Sequence, residues 1–304
     1  MFVTTVALAA LAVAQQTDTT FPVRPGTRLE ISNYGGEIVV RSWDRSEVRL
    51  HAEHSSRDNI VVSSGGQVIT VKASSRHGTP QSVDYDITVP KTMALALGGV
   101  YTDIKVQGVE AEITGETVEG EITVNGGSGY VSLKSVNSSV TLENCHGRIE
   151  VGSVNEAVKV QNCSGEISAE TVNGDVELTG IESGNVDAST VNGEITYEGT
   201  IKDGGRYRLS THSGDVTATI PARTNASVTV STLNGDFESC FPVQVTGTTA
   251  RHRFTITLGS GSAKMELESF NGDIRLRQPG TAECRNRTKH KDKDNDQDQD
   301  DDQP

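Results

Sequence analysis

The chain has 304 residues, of which 31 are glycine and only 4% aromatic, and its formal net charge is −14. That length holds one large or two ordinary domains, and many glycines with few bulky side chains suit tight turns and thin cores. The negative charge repels nucleic-acid phosphates and anionic lipid headgroups, which argues against a nucleic-acid role.

In chain order, residues 1–14 read as a signal peptide. Phe2 to Ala14 is apolar or small, and Ala12-Val13-Ala14 forms an A-x-A-like cleavage site followed by polar Gln15-Gln16. No positively charged n-region precedes it. The stretch is too short to span a bilayer comfortably, and no other segment is apolar enough to try. An exported location is therefore expected: periplasmic, cell-surface or secreted.

Residues 15–97 are rich in strands of irregular spacing. Leu29-Glu30-Ile31, Ile38-Val39-Val40, Val48-Arg49-Leu50, Val68-Ile69-Thr70-Val71 and Tyr85-Asp86-Ile87-Thr88-Val89 alternate or run apolar as strands do, and Pro90 ends the last. This region is expected to cap a stack, because an open coil end is an adhesive strand edge.

From Val136 the chain repeats in nine-residue blocks: VNSSVTLEN, CHGRIEVGS, VNEAVKVQN, CSGEISAET and VNGDVELTG, then IESGNVDAST with one residue extra, then VNGEITYEG. Apolar residues fall at block positions 1, 5 and 7. Positions 5 and 7 alternate with polar neighbours, the period of a half-buried strand. Alternate blocks match best, and the Val-Asn pairs at Val136, Val154, Val172 and Val191 are 18, 18 and 19 residues apart. Weaker copies occur at Val118, His212, Leu233 and Phe270. The period predicts an all-β, β-helix-like solenoid over residues 98–278. Its coils have about 18 residues and two short strands each, and neighbours cover each other's apolar faces. Asn-Gly at the corners suggests a sharp turn through positive φ. The segment from Cys240 to Ala250 interrupts the repeat and is expected to bulge as a loop. Residues 279–304 lose large apolar residues, and His290 to Pro304 carries seven Asp and two Lys. A disordered, mainly acidic tail is expected there.

The phrase t-x-N-G-D/E-I/V resembles the bacterial putative-adhesin repeat domains, a family of unknown function. The residues that carry the resemblance are Gly35-Gly36-Glu37-Ile38-Val39-Val40 with Trp43-Asp44, Tyr85 to Pro90, the Asn-Gly series, and Thr219-Ile220-Pro221. It spans roughly residues 25–278 and implies an exported β-solenoid with no catalytic residues to transfer.

Several residues invite a chemical reading. Asn137, Asn155, Asn173, Asn192, Asn234 and Asn271 are expected to form a structural turn ladder of stacked amides in preference to a ligand site. The acids Asp175, Glu194, Asp215, Asp236 and Asp273 suit a solvated edge that discourages aggregation; a Ca²⁺ site is the weaker alternative, since the G-G-x-G-x-D-x-apolar repeat is not met. No cofactor is otherwise expected, and the seven histidines show no metal spacing. Cys145 and Cys163 occupy equivalent positions and are expected as two buried thiols, with a bridge between them as the alternative, while Cys240 and Cys284 are candidates for a disulfide clamping the C-terminal end. Together these features point to a non-catalytic adhesin-like module presenting a repetitive β surface to a cell-surface polysaccharide or envelope protein. A polysaccharide-active β-solenoid enzyme and an envelope-stress accessory protein are the alternatives.

Overall fold

The computed structural model describes residues 15–281 and 286–288, apart from residues 77, 243–244 and 251–252. The expected signal peptide and most of the acidic tail lie outside these. Among the described residues every regular element is a β-strand. None is a helix long and apolar enough to cross a membrane.

The strands form two ladders, packed face to face. In the middle of the first stand Ser128–Lys134, His146–Gly152 and Ser164–Glu170, parallel and in register, with Val131 beside Ile149 and Ile149 beside Ile167. In the second stand Ile122–Gly126, Val140–Glu143 and Val158–Gln161, with Ile122 beside Val140 and Val140 beside Val158. Each coil contributes one strand to each ladder. Partners in these stretches are 18 residues apart, which is why alternate nine-residue blocks match in sequence. The extra residue in the sixth block is absorbed as a bulge: Gly165 pairs with Ser183 but Glu166 pairs with Asn185.

Positions 5 and 7 point inward. Ile149, Val151, Val158 and Val160 are at most 3% exposed, and the same columns continue through the stack. Each such side chain contributes about 1.5–3 kcal/mol relative to its exposed state. Two tyrosines widen the core where the coil lengthens. Tyr197 and Tyr207 meet edge to face at 6.0 Å, and their hydroxyls donate to the carbonyls of Thr200 (2.9 Å) and Ser183 (2.6 Å).

Both ends depart from sequential stacking. At the C-terminal end, Arg206–Ser213 pairs with Ala263–Asn271, which in turn pairs with Ala226–Asn234. The last coil in sequence is therefore inserted beneath the one before it. At the N-terminal end, Arg28–Trp43 lies between Ala94–Val109 on one side and Val68–Ser75 with Asp84–Pro90 on the other. Antiparallel strands then cover the outermost parallel ones. Asp58–Gly65 pairs with Val68–Ser75, and Glu47–His54 pairs with Asp84–Pro90; Gln15–Pro22 in turn covers Glu47–His54. At the other end Arg253–Leu258 covers Ala226–Asn234, and Asn286–Thr288 covers Phe237–Ser239. Such reversal stops coil-on-coil growth, because the exposed edge no longer has the parallel pattern.

Two expectations are corrected here. Val245–Ala250 is not a bulging loop but a strand paired with Arg253–Leu258. Asn286–Thr288 is a strand within the segment expected to be unfolded; backbone pairing to an edge needs no large apolar side chain.

Candidate binding surface

Each coil has two corners, built differently. After the second ladder the chain turns through a left-handed residue: Asn144 (φ 54°), Asn162 (φ 52°) and Gly180 (φ 66°) are equivalent. The cysteines follow directly. Cys145 and Cys163 are joined by a disulfide with Cα atoms 4.8 Å apart. The expectation of two thiols is thus corrected: equivalent positions on stacked coils already stand at bridging distance. Cys284, the proposed partner of Cys240, lies outside the described residues.

The other corner carries the Ser/Thr-Val-Asn phrase. The Asn residues do not sit at positive φ, so the expected turn mechanism is corrected. Their amides stack instead. Asn155 Nδ2 donates to Asn137 Oδ1 (2.6 Å), Asn173 to Asn155 (3.1 Å), Asn192 to Asn173 (3.0 Å) and Asn234 to Asn271 (2.8 Å). Ser213 stands between Asn192 and Asn271, because the final coils are exchanged. The following glycines are required by coil contact: a Cβ on Gly174 would overlap the carbonyl oxygen of Glu156, and one on Gly193 that of Gly174. Before each valine a buried hydroxyl reaches across the corner. Ser153 donates to Ser138 O, Thr171 to Glu156 O and Thr190 to Gly174 O, each at 2.9 Å. Sequence reasoning gave these hydroxyls no role, although their recurrence just before Val-Asn was the signal.

The acidic residues also find backbone partners. Asp175 Oδ1 accepts the Glu194 N–H (2.8 Å), Asp215 that of Asp273 (2.8 Å) and Asp273 that of Asp236 (2.9 Å). Arg275 bridges Asp215 (2.6 Å) and Asp273 (3.0 Å). Each carboxylate ties one coil to the next. Among the described residues no group of three or more His, Cys, Asp or Glu is placed to hold a metal ion.

The valines of this corner face outward, unlike the apolar residues at positions 5 and 7. Val118, Val136, Val154, Val172 and Val191 are 38–43% exposed, not core. Register places Tyr34 and Val100 before them, and His212, Phe270 and Leu233 after them. Tyr34 meets Tyr101 edge to face at 5.6 Å, and His212 stacks on Phe270 at 4.8 Å. The result is one apolar ridge along the solenoid.

The outer face of the first ladder is flat and polar, with two open grooves. One, of about 510 Å³, borders the ridge where Gly152 leaves a gap between Lys134 and Glu170. Beside it, the Tyr130 hydroxyl (2.9 Å) and the Arg148 guanidinium (2.7 Å) bind Glu150 and hold its carboxyl below the usual range. The second groove, of about 470 Å³, lies at the far margin of the same face. Its lining includes Asp187, Arg206, Arg208, Lys264 and Glu266. Arg206 and Lys264 are directly opposite on neighbouring strands, and among the described residues neither makes an ion pair.

Fold and surface define an all-β, parallel β-helix-like solenoid with a repetitive outer face. The chain belongs to the Toastrack DUF4097 family, whose model matches residues 26–277. Among solved structures it is similar to a putative cell adhesion protein from Clostridium sporogenes (11% identity, 87% of this chain and 100% of that one, TM-score 0.23). It is also similar to a putative adhesin from Bacteroides fragilis (12% identity, 86% and 97%, TM-score 0.37). No curated protein matches the chain.

Proposed function

We propose that this chain is a non-catalytic binding module acting outside the cytoplasm. The outer face of its first ladder engages a cell-surface polysaccharide or envelope protein. The supporting observation is the in-register cation pair Arg206 and Lys264 in an open groove. Like charges directly opposite destabilise a sheet by a few tenths of a kcal/mol or more, and this pair stands on a chain of charge −14. An acidic group on the ligand relieves that repulsion. Parallel strands repeat the polar rows at a spacing of ~4.8 Å, so a linear polymer meets equivalent groups coil after coil. In this reading the 18-residue coil is the repeating contact unit, and the irregular N-terminal β region is its cap.

The test is retention. The chain from Gln15 is immobilised and exposed separately to isolated envelope polysaccharide and to envelope protein, with new sugar ends assayed in parallel. Retained material without cleavage supports the reading. New reducing or unsaturated sugar ends make the protein an enzyme and overturn it.

A further inference from the structure

The apolar ridge is distinct from the Arg206–Lys264 groove, although Val154 and Val172 also line the other groove, and that reading gives the ridge no role. Arg206 and His212 lie on one strand, six residues apart, a span of ~20 Å. From Tyr34 to Leu233 the ridge runs ten coils, about 43 Å at ~4.8 Å per step.

Nine of its members, Tyr101 included, are 38–51% exposed. Together these residues expose roughly 700 Å², backbone and tyrosine hydroxyls included, so their apolar surface reaches the upper end of the roughly 300–600 Å² of the largest patch on a monomeric protein. We infer that the ridge is the interface of a symmetric dimer, in which two copies of this chain lie antiparallel, ridge against ridge.

Four observations select a second copy as the occupant. First, the area fits. Two ridges bury at most ~1,400 Å² in total, at the lower part of the ~1,200–2,000 Å² of stable interfaces. Second, the sequence of side chains along the ridge suits a two-fold axis between Val154 and Val172. Valine then meets valine in the middle, Val136 against the other copy's Val191. Outward from there Val118 meets His212, Val100 meets Phe270 and Tyr34 meets Leu233. An isologous contact needs this self-complementarity. Third, the two columns that directly adjoin the ridge are nearly free of charge. A column of buried Ser and Thr runs along one side and the Asn column along the other, with Glu119 as the exception. The acids Asp175, Glu194, Asp215, Asp236 and Asp273 stand two residues beyond the Asn column, so they flank the contact instead of filling it, and the dimer should tighten as salt screens them. Fourth, the flanking amides already bond to one another, so covering them strands few polar groups.

The test is the molar mass of the Gln15–Pro304 chain by sedimentation equilibrium, with two variants. The wild type should have twice the chain mass. Val154→Glu with Val172→Glu places four charges at the two-fold axis and should give a monomer. Its far-ultraviolet circular dichroism spectrum should be unchanged, because both positions are 40% exposed, while its thermal midpoint falls and no longer depends on protein concentration. Val136→Cys with Val191→Cys should form an interchain bridge. Within one copy these positions are three ladder steps apart, ~14 Å, beyond disulfide reach. A monomeric wild type overturns the inference, as does a dimer that survives the glutamate pair. A dimer that forms no bridge in the cysteine variant overturns the antiparallel seating.

Discussion

Gly174→Ala and Gly152→Ala look equivalent in sequence and should differ sharply in stability. Neither glycine has positive φ, so the cost is steric. A Cβ on Gly152 would stand 3.4 Å from the Glu170 carbonyl oxygen, a contact close to ordinary. A Cβ on Gly174 would overlap the Glu156 carbonyl oxygen. That oxygen cannot swing aside, because it accepts the Thr171 hydroxyl at 2.9 Å. Opening the coil spacing costs about 1–3 kcal/mol as overpacking. Weakening the buried Thr171 bond adds ~1 kcal/mol, for a total of about 2–4 kcal/mol. At Gly152 the reduced freedom of the unfolded chain returns ~0.4–1 kcal/mol and offsets the tight contact. Thermal unfolding followed by far-ultraviolet circular dichroism reads both. Gly174→Ala should lower the midpoint by roughly 5–15 °C and Gly152→Ala should shift it by no more than about 3 °C. Equal midpoints would refute the close-stacking account of the Val-Asn-Gly corner.

Asn155→Ala removes two amide bonds from the middle of the ladder and should cost ~1–2 kcal/mol, while Asn137→Ala removes only one; denaturant midpoints distinguish them. Peptide mapping of unreduced protein should recover the Cys145–Cys163 bridge, and the Cys240–Cys284 bridge that we propose from sequence. Replacing Cys145 and Cys163 with Ser should cost about 3 kcal/mol, because their loop spans 18 residues. The Glu150 carboxyl should titrate below an ordinary glutamate by NMR, and Tyr130→Phe should raise it. Since the folded value is the lower one, the stabilisation is fully present above the unfolded value. It is lost as pH falls through the folded value.

Period and core were legible in the sequence because they obey a local rule. Val140, Leu142, Ile149 and Val151 alternate with polar residues, and a strand facing one core must do so. The exchange of the final coils was not legible. Leu233-Asn234 and Phe270-Asn271 carry the same phrase, and the phrase specifies a coil without specifying its neighbour. Block position 1 was misleading because it merges two corners. Cys145 and Cys163 face the core, at 3% and 1% exposure, whereas Val154 and Val172 stack only on one another at the other corner. Apolarity alone cannot separate a core column from a self-stacking ridge. The Thr171-type hydroxyls were hidden for a related reason: their partner carbonyl belongs to the preceding coil, 15 residues back.

The most direct test of the binding account compares two surfaces on one protein. Retention of envelope polysaccharide and envelope protein is measured for the wild type, for Arg206→Glu with Lys264→Glu, and for Val118→Glu with Val136→Glu, two ridge positions that line neither groove. The account predicts that reversing the cation pair abolishes retention while the ridge variant still binds at each site. Retention unchanged by the reversed pair would contradict it.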